Sequence, residues 1–215
     1  MNNTIKTHID NIIQNAVELI NVDEVVIESQ IPKGLKVLNL EATVLFVDIR
    51  KSSNLSEKIG VKMMTKVYHM FSRIVAKAVM DNHGKIVQFA GDGFMAAFTN
   101  KQGNTSGINA VNALCDIYDL IQNTYKKAVE EKLWFDCGYG LSHGHIYMTR
   151  VKAKALKLQS FGIFPGNATN FASKICNLAE ANQVIMDDEV YQMTKPDSAK
   201  QKTYKDKVVW VWDLK

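Results

Sequence analysis

The stretch TVLFVDIRKSS, residues 43–53, contains an apolar run, one acid and a group of residues that favour the start of a helix. The apolar residues of 43–49 predict a buried strand. Residues 52–54 supply helix-capping side chains, and a long amphipathic pattern with helical spacing follows them. Asp48 is therefore expected at the end of a buried strand, directly before a helix.

A second acid lies in the segment KIVQFAGDGFMAAF, residues 85–98. Its two halves predict the strands of a hairpin that turns around Gly-Asp92-Gly. If the strand at 43–49 is a neighbour of this hairpin, Asp48 and Asp92 reach the same end of one sheet. Each acid alone has a simpler explanation, because Asp before a helix is commonly an N-cap and Asp between glycines is common in turns.

Two carboxylates at one end of a sheet predict a site for divalent cations. Close carboxylates resist ionising together, and a bound cation relieves this repulsion. Oxygen ligands of this kind suit Mg²⁺ or Mn²⁺. The helix that opens after Arg50 offers unpaired backbone N–H groups, which favour the binding of phosphate oxygens. The pattern thus predicts a metal-dependent site for a phosphorylated substrate.

The remaining pattern predicts an α+β protein with a mainly antiparallel sheet flanked by helices. Helical spacing is found at 4–20, in the long helix after Asp48, and at 107–130, 169–179 and 187–193. Strand patterns are found at 43–49, 85–89, 94–98, 134–141, 146–151, 156–164, 184–186 and 207–214. The leading order of strands and helices resembles a ferredoxin-like core. We expect residues 1–37 to form an N-terminal helix and connector, and residues 38–215 to form one domain. We also expect His143 and His145 to lie in a turn.

Composition and charge limit the class of protein. The 215 residues are 47% hydrophobic and 22% charged, which is ordinary for a folded soluble domain. The net charge of +4 suits a polyanionic small molecule and does not require nucleic acid. Three cysteines without metal-ligand spacing indicate a reducing compartment. With no signal-peptide pattern and no run of about 20 apolar residues, we expect a cytoplasmic protein with no nucleic-acid or membrane partner.

Four segments in a fixed order resemble the catalytic domain of class III nucleotidyl cyclases, the adenylate and guanylate cyclases. Residues 43–53 resemble the first metal motif of that family, and residues 85–98 the second. The segment CGYGLSHG, residues 137–144, is similar to its glycine-rich strand and turn, and GIFPGNATNFASKI, residues 162–175, to its final catalytic segment. The resemblance, which runs from about residue 40 to residue 214, implies the ferredoxin-like cyclase fold. It also implies a phosphorus–oxygen lyase that closes a nucleoside triphosphate into a 3′,5′-cyclic monophosphate, with 38–215 as its catalytic domain.

The same resemblance implies a homodimer with two composite active sites and two divalent cations, Mn²⁺ or Mg²⁺, in each site. One chain would supply the metal ligands, which are Asp48, Ile49 and Asp92. The triphosphate would contact Arg50, Lys51, Ser52, Ser53 and Lys207, or Lys205 in place of the last. The other chain would supply the catalytic pair Asn170 and Lys174. Lys174 stands where the family has an arginine, and Arg50 and Arg150 are the alternatives for that role.

The positions that read the base in purine cyclases are occupied here by Gln88 and Ile163. These residues match neither the Lys–Asp pair of adenylate cyclases nor the Glu–Cys pair of guanylate cyclases. A small cyclase domain with a short leading helix and no purine code resembles the pyrimidine cyclases of bacterial Pycsar anti-phage systems. This resemblance implies UTP as substrate and cyclic UMP as product, which would act on a separate cyclic-nucleotide-sensing effector.

Four alternatives stay open at this point. Two keep the enzyme class and change the substrate, to CTP with cyclic CMP as product or to ATP with cyclic AMP as product. A third is an inactive nucleotide-binding or dimerisation module, which Lys174 favours and the intact pair Asp48 and Asp92 disfavours. The fourth is a relative of polymerase palm domains that makes cyclic dinucleotides, which the segment GNATN, residues 166–170, disfavours.

Overall fold

A computed structural model describes residues 2–151 and 161–214. The strands are β1 (Glu18–Asn21), β2 (Lys36–Ile49), β3 (Lys85–Ala90), β4 (Gly93–Phe98), β5 (Cys137–Val151), β6 (Phe161–Ile163), β7 (Gln183–Asp187), β8 (Lys200–Tyr204) and β9 (Lys207–Asp213). The helices are α1 (Asn2–Gln14), α2 (Ser52–Asp81), α3 (Ser106–Asp119), α4 (Lys126–Ala128), α5 (Asn167–Leu178) and α6 (Asp188–Thr194). A π-helical turn, Leu120–Tyr125, joins α3 to α4.

All described strands belong to one sheet with the order β3-β4-β2-β5-β7-β9-β8. The short strands β1 and β6 add to the outer ends of β2 and β5. Most neighbours are antiparallel, whereas β1–β2 and β5–β7 are parallel. The predicted α+β class and ferredoxin-like core are therefore confirmed, with β2 and β5 at the centre of the sheet.

The two faces of the sheet are covered by different helices. One face packs on α2 and α3, with Phe71, Leu114 and Tyr139 fully buried in that layer. The other face packs on α5, which lies so close to β5 that a Cβ atom on Gly140 would sit 2.3 Å from the Ala172 carbonyl oxygen. This contact holds α5 flat against the centre of the sheet.

One long strand replaces the two that the sequence predicted at 134–141 and 146–151. Strand β5 runs from Cys137 to Val151 because β2 is nearly as long and pairs with it from Ile49 to Val37. Gly144 has φ +140°, a conformation that glycine tolerates, and it does not interrupt the ladder. The expectation that His143 and His145 lie in a turn was wrong, since both are inside β5.

The ends of the chain also differ from expectation. The leading helix stops at Gln14 rather than at residue 20, and Glu18–Asn21 pairs with the start of β2. Strand β8 was missed because its exposed, lysine-rich residues carry no apolar alternation. The predicted strand at 156–164 falls partly outside the described residues, and β6 accounts for its end. The boundary between residues 37 and 38 stays a prediction.

None of the described helices combines the length and the apolar character needed to cross a membrane.

Candidate active site

Asp48 and Asp92 come together at one end of the central strands. Asp48 pairs with Gly93 in the β2–β4 ladder, and Asp92 precedes that glycine in the hairpin turn, where Gly91 has φ +64°. Their side chains are in hydrogen-bonding contact. Burial raises the pKa of Asp48 from 3.8 to about 6; the Arg50 cation opposes this rise, and the neighbouring Asp92 adds to it. The predicted meeting of the two acids is therefore present in the fold.

The guanidinium group of Arg50 is bound at both ends by groups of the same chain. Nη2 forms an ion pair with Asp48, and Nε donates to the Asp48 backbone carbonyl at 3.3 Å. Nη1 donates to the carbonyl oxygens of Cys176 and Ala179, each at 3.3 Å, at the C-terminal end of α5. The backbone N–H of Arg50 is also used, since it donates to the Asp136 carbonyl at 2.8 Å. The role of Arg50 as a triphosphate ligand stays a prediction, and in this conformation its donors are occupied.

The N-terminus of α2 is open towards solvent beside this pair. Lys51 adopts a left-handed conformation, φ 57° and ψ 33°, and no side chain caps the first turn. Ser53 is exposed and Ser52 is half-buried. A cavity of about 740 Å³ opens at this helix end, and the charged residues in its lining include Lys51, Lys58, Asp136 and Glu180. Free N–H groups, a helix dipole and lysine ammonium groups together favour a polyanion at this point.

The predicted catalytic residues lie on the outer face of α5. Asn170 and Lys174 are one helical turn apart and both are exposed. Lys207 lies next to this face, with its Nζ 4.6 Å from the centre of the Phe171 ring. In a single chain these side chains point into solvent, so they are available to a second molecule. The buried side of the same helix meets Arg50, as described above.

The two predicted base-reading residues are both accessible. Gln88 is exposed on the edge strand β3, next to a shift in register between Ile86 and Gln88. Within the described ranges its amide makes no side-chain hydrogen bond, which leaves a donor and an acceptor free. Ile163 is 39% exposed on β6 and presents only apolar atoms.

Two residues near the carboxylates were not anticipated from the sequence. Gly138 of β5 leaves the space in which Arg50 lies, because a Cβ atom there would be 2.8 Å from the Arg50 Nε. Tyr68 of α2 lies close enough to the acids that burial, Asp92 and Asp48 all raise its pKa. The hydroxyl group of Tyr68, on an otherwise apolar helix face, is the one feature of the sequence that could have identified this residue.

The side chains at this site that could bind a metal are these two carboxylates. The described part of the chain contains no cluster of three or more His, Cys, Asp or Glu side chains that could hold an ion. Two contacting carboxylates, one with a raised pKa, form a like-charge pair that a divalent cation would stabilise. A site of this kind suits a hard cation that completes its coordination with water and substrate oxygens.

Comparison with known proteins agrees with this geometry. The family model of the adenylate and guanylate cyclase catalytic domain matches residues 39–209. A uridylate cyclase of Burkholderia cepacia is 24% identical over 168 residues, which cover 78% of this chain and 70% of that protein. The adenylyl cyclase CyaB from P. aeruginosa superposes with a TM-score of 0.66 at 21% identity, over 83% of this chain and 97% of that one. The guanylate cyclase domain of RhGC from Catenaria anguillulae gives a TM-score of 0.67 at 20% identity, over 81% and 97%.

The family match spans both acids, the glycine-rich strand β5 and the helix that carries Asn170. The solved structures share the fold. These findings confirm the expected cyclase class of phosphorus–oxygen lyase. The chain belongs to the adenylate and guanylate cyclase catalytic domain family of nucleotidyl cyclases.

Proposed function

We propose that this chain is a homodimeric, metal-dependent uridylate cyclase, which converts UTP into cyclic UMP and pyrophosphate. The observation that carries the proposal is the contact between the Asp48 and Asp92 carboxyl groups beside the open N-terminus of α2. The similarity to a uridylate cyclase of Burkholderia cepacia supports the choice of base.

Asp48 and Asp92 would hold two divalent cations, Mn²⁺ or Mg²⁺, with the Ile49 carbonyl as a further ligand. When bound, such cations lower the pKa of the ribose 3′-hydroxyl and offset charge on the α-phosphate and the leaving pyrophosphate. The carboxylates would hold these cations in place. The first turn of α2, with Lys51, Ser52 and Ser53, would bind the β- and γ-phosphates through N–H and hydroxyl donors.

The partner subunit would complete each site. Asn170 of the partner subunit would orient the ribose, and the partner's Lys174 would place a positive charge against the α-phosphate as negative charge builds there. The partner's Lys207 would neutralise the terminal phosphates. The exposure of Asn170 and Lys174 on α5 supports this arrangement, because neither side chain has an internal role in the described chain. Lysine supplies charge without the planar fork of arginine, so we expect modest turnover.

The base would be recognised by one polar and one apolar contact. Gln88 offers a donor and an acceptor, which can pair with the O4 and N3–H edge of uracil. Ile163 would pack on the face of the ring. The acidic and basic side chains that adenylate and guanylate cyclases use at these positions are missing.

We also propose that cyclic UMP made by this enzyme acts as a second messenger in anti-phage defence. The uridylate cyclase of Burkholderia cepacia, which is 24% identical to this chain, supports a cyclic-nucleotide product of this kind. In this role the product would bind and activate a separate effector with a cyclic-nucleotide sensor.

The deciding experiment is incubation of the purified protein with each of the four ribonucleoside triphosphates and Mn²⁺, followed by mass spectrometry of the products. We expect cyclic UMP and pyrophosphate in equal amounts from UTP. Cyclic AMP or cyclic CMP as the main product would overturn the choice of base, and absence of any cyclic product would overturn the proposed activity. The Asp48→Asn variant serves as the matched negative control.

A further inference from the structure

We propose that Arg50 is a positioning residue that couples the metal ligand Asp48 to the C-terminus of α5. Through this coupling, cation binding at one composite site of a dimer affects the other site. This coupling rests on the proposed function. In a homodimer, Asp48 serves one active site, whereas the α5 residues Asn170 and Lys174 of the same chain serve the other. A rigid contact between them inside one chain therefore connects the two sites.

The first end of the connection is at the metal carboxylate. The Arg50 side chain is only 16% exposed, and its Nη2 is paired with Oδ2 of Asp48. Nε contacts the Asp48 carbonyl at 3.3 Å, so the guanidinium follows both the backbone and the side chain of this residue. A cation bound by Asp48 would share this carboxylate with Arg50, and like-charge repulsion would weaken the hold of Arg50 on it.

The second end of the connection is at α5. Nη1 donates to the carbonyl oxygens of Cys176 and Ala179, and Nη2 lies 3.9 Å from the Cys176 sulfur. These carbonyls belong to the last turn of the helix, where intrahelical donors run out and a cation is favoured by the helix dipole. Arg50 therefore acts as the C-terminal cap of the helix that carries Asn170 and Lys174.

The position of the guanidinium is fixed by the lack of a side chain at residue 138. A Cβ atom on Gly138 would lie 2.8 Å from Nε, 3.0 Å from Cζ and 3.1 Å from the Ala179 carbonyl oxygen. The arginine thus lies flat between β5 and the end of α5, with little freedom to move at one end alone. A planar group held at both ends transmits displacement, whereas a flexible lysine would not.

The test is hydrogen–deuterium exchange of α5 in the full-length protein, measured with and without saturating Mn²⁺ and without nucleotide. Binding of Mn²⁺ is followed separately by electron paramagnetic resonance of the free ion. In the wild type we expect Mn²⁺ to speed exchange in the last turn of α5 by about tenfold, the factor for losing one charge-assisted hydrogen bond.

Three variants separate this coupling from a purely structural role. Arg50→Lys keeps the charge but cannot reach all the acceptors, and Gly138→Ala displaces the intact arginine. Both should show fast exchange in α5 that no longer responds to Mn²⁺. Lys58→Ala removes an exposed cation that lines the same cavity as Arg50 and should respond as the wild type does. Melting temperatures confirm that each variant is folded.

The coupling is overturned if Arg50→Lys keeps the wild-type response, or if the wild type shows no response or no Mn²⁺ binding. The proposed function fails in a different way, by absence of a cyclic product from any nucleotide. A protein that makes cyclic UMP without a response in α5 would therefore lose this inference alone. A protein that responds to Mn²⁺ but makes no product would lose the activity alone.

Discussion

The carboxyl groups of Asp48 and Asp92 lie close enough for Asp92 to raise the pKa of Asp48, although the two residues belong to different strand–turn units of the chain. Their contact follows from the β2–β4 register, which pairs Asp48 with the glycine after Asp92. A contact between two acids is unfavourable in a metal-free protein, and one of the pair responds with a raised pKa. The protein keeps this arrangement at a cost in stability, which is usual for a functional site.

Replacing either acid should remove activity and spare the fold. We expect Asp48→Asn and Asp92→Asn to lower kcat by at least about 1,000-fold, because the remaining carboxylate cannot hold both cations. The melting temperature of Asp92→Asn should stay the same or rise, since a like-charge contact is removed. Asp48→Asn also loses the ion pair with Arg50, so its melting temperature should fall although the fold is kept. Glu57→Gln, which changes an exposed acid on α2, is the matched control and should keep full activity. Turnover near the wild-type level in either Asn variant would contradict the assignment.

The stability of the metal-free protein should depend on pH in a specific window. The pKa of Asp48 is about 6 in the folded chain and near 3.8 when unfolded, so the folded state holds more protons between pH 4 and 6. The free energy of unfolding should therefore fall as the pH rises through this window and level off above it. The full pKa difference corresponds to roughly 3 kcal/mol, and solvent screening of this half-buried group makes the fall smaller than that. Urea unfolding in the presence of EDTA measures this slope. Asp48→Asn should reduce it, and an unchanged slope in that variant would assign the effect to other groups.

Two inactive variants should restore activity when they are mixed. Asp92→Asn damages the metal half of each site, and Lys174→Ala damages the half supplied by the other subunit. In a one-to-one mixture half of the dimers are mixed, and each mixed dimer has one intact site out of two. Recovery of about one quarter of wild-type activity is therefore expected after subunit exchange. No recovery, with mixed dimers demonstrated by native mass spectrometry, would place all site residues in one chain.

Gln88 should control affinity for the base more than the chemical step. Gln88→Ala removes one or two hydrogen bonds to uracil, so we expect kcat/KM for UTP to fall by about 10- to 100-fold, mostly through KM. Gln201→Ala changes an exposed glutamine on β8 and is the matched control. Equal losses in both variants, or a loss confined to kcat, would argue against base reading by Gln88.

The close packing of α5 on β5 should be sensitive to a single methyl group. Gly140→Ala would place a Cβ atom 2.3 Å from the Ala172 carbonyl and 2.6 Å from the Cys176 nitrogen, which are backbone atoms that cannot turn aside. We expect a loss of about 3 kcal/mol in the free energy of unfolding. Gly34→Ala meets nothing within 4 Å but has φ +92°, so its cost should be about 1 kcal/mol. Chemical denaturation of both variants compares packing with backbone strain directly.

Much of the site could be predicted because its residues follow local rules. An apolar run that ends in Asp48, and a glycine-flanked Asp92 between two strand patterns, identify the acids without knowledge of the fold. The glycine-rich pattern around Gly140 and the polar face of α5 were also visible as residue types. The direction of the Arg50 side chain was not, because it depends on Gly138 and on the end of α5, which are distant in sequence. Strand β5 was divided wrongly for the same reason, since only its pairing with β2 shows that Gly144 does not end it.

The sequence by itself determined most of the elements, the class of fold and the two acids, because apolar periodicity, turn glycines and caps act within a few residues. The roles of Asn170 and Lys174 on α5 came from the family resemblance alone. Only the tertiary structure decided which groups touch. It brings Asp48 beside Asp92 through strand register. It also encloses Arg50 between Asp48 and the end of α5, in the space left by Gly138. Such contacts depend on how segments that are distant in sequence pack together, and no local pattern of residues encodes this packing.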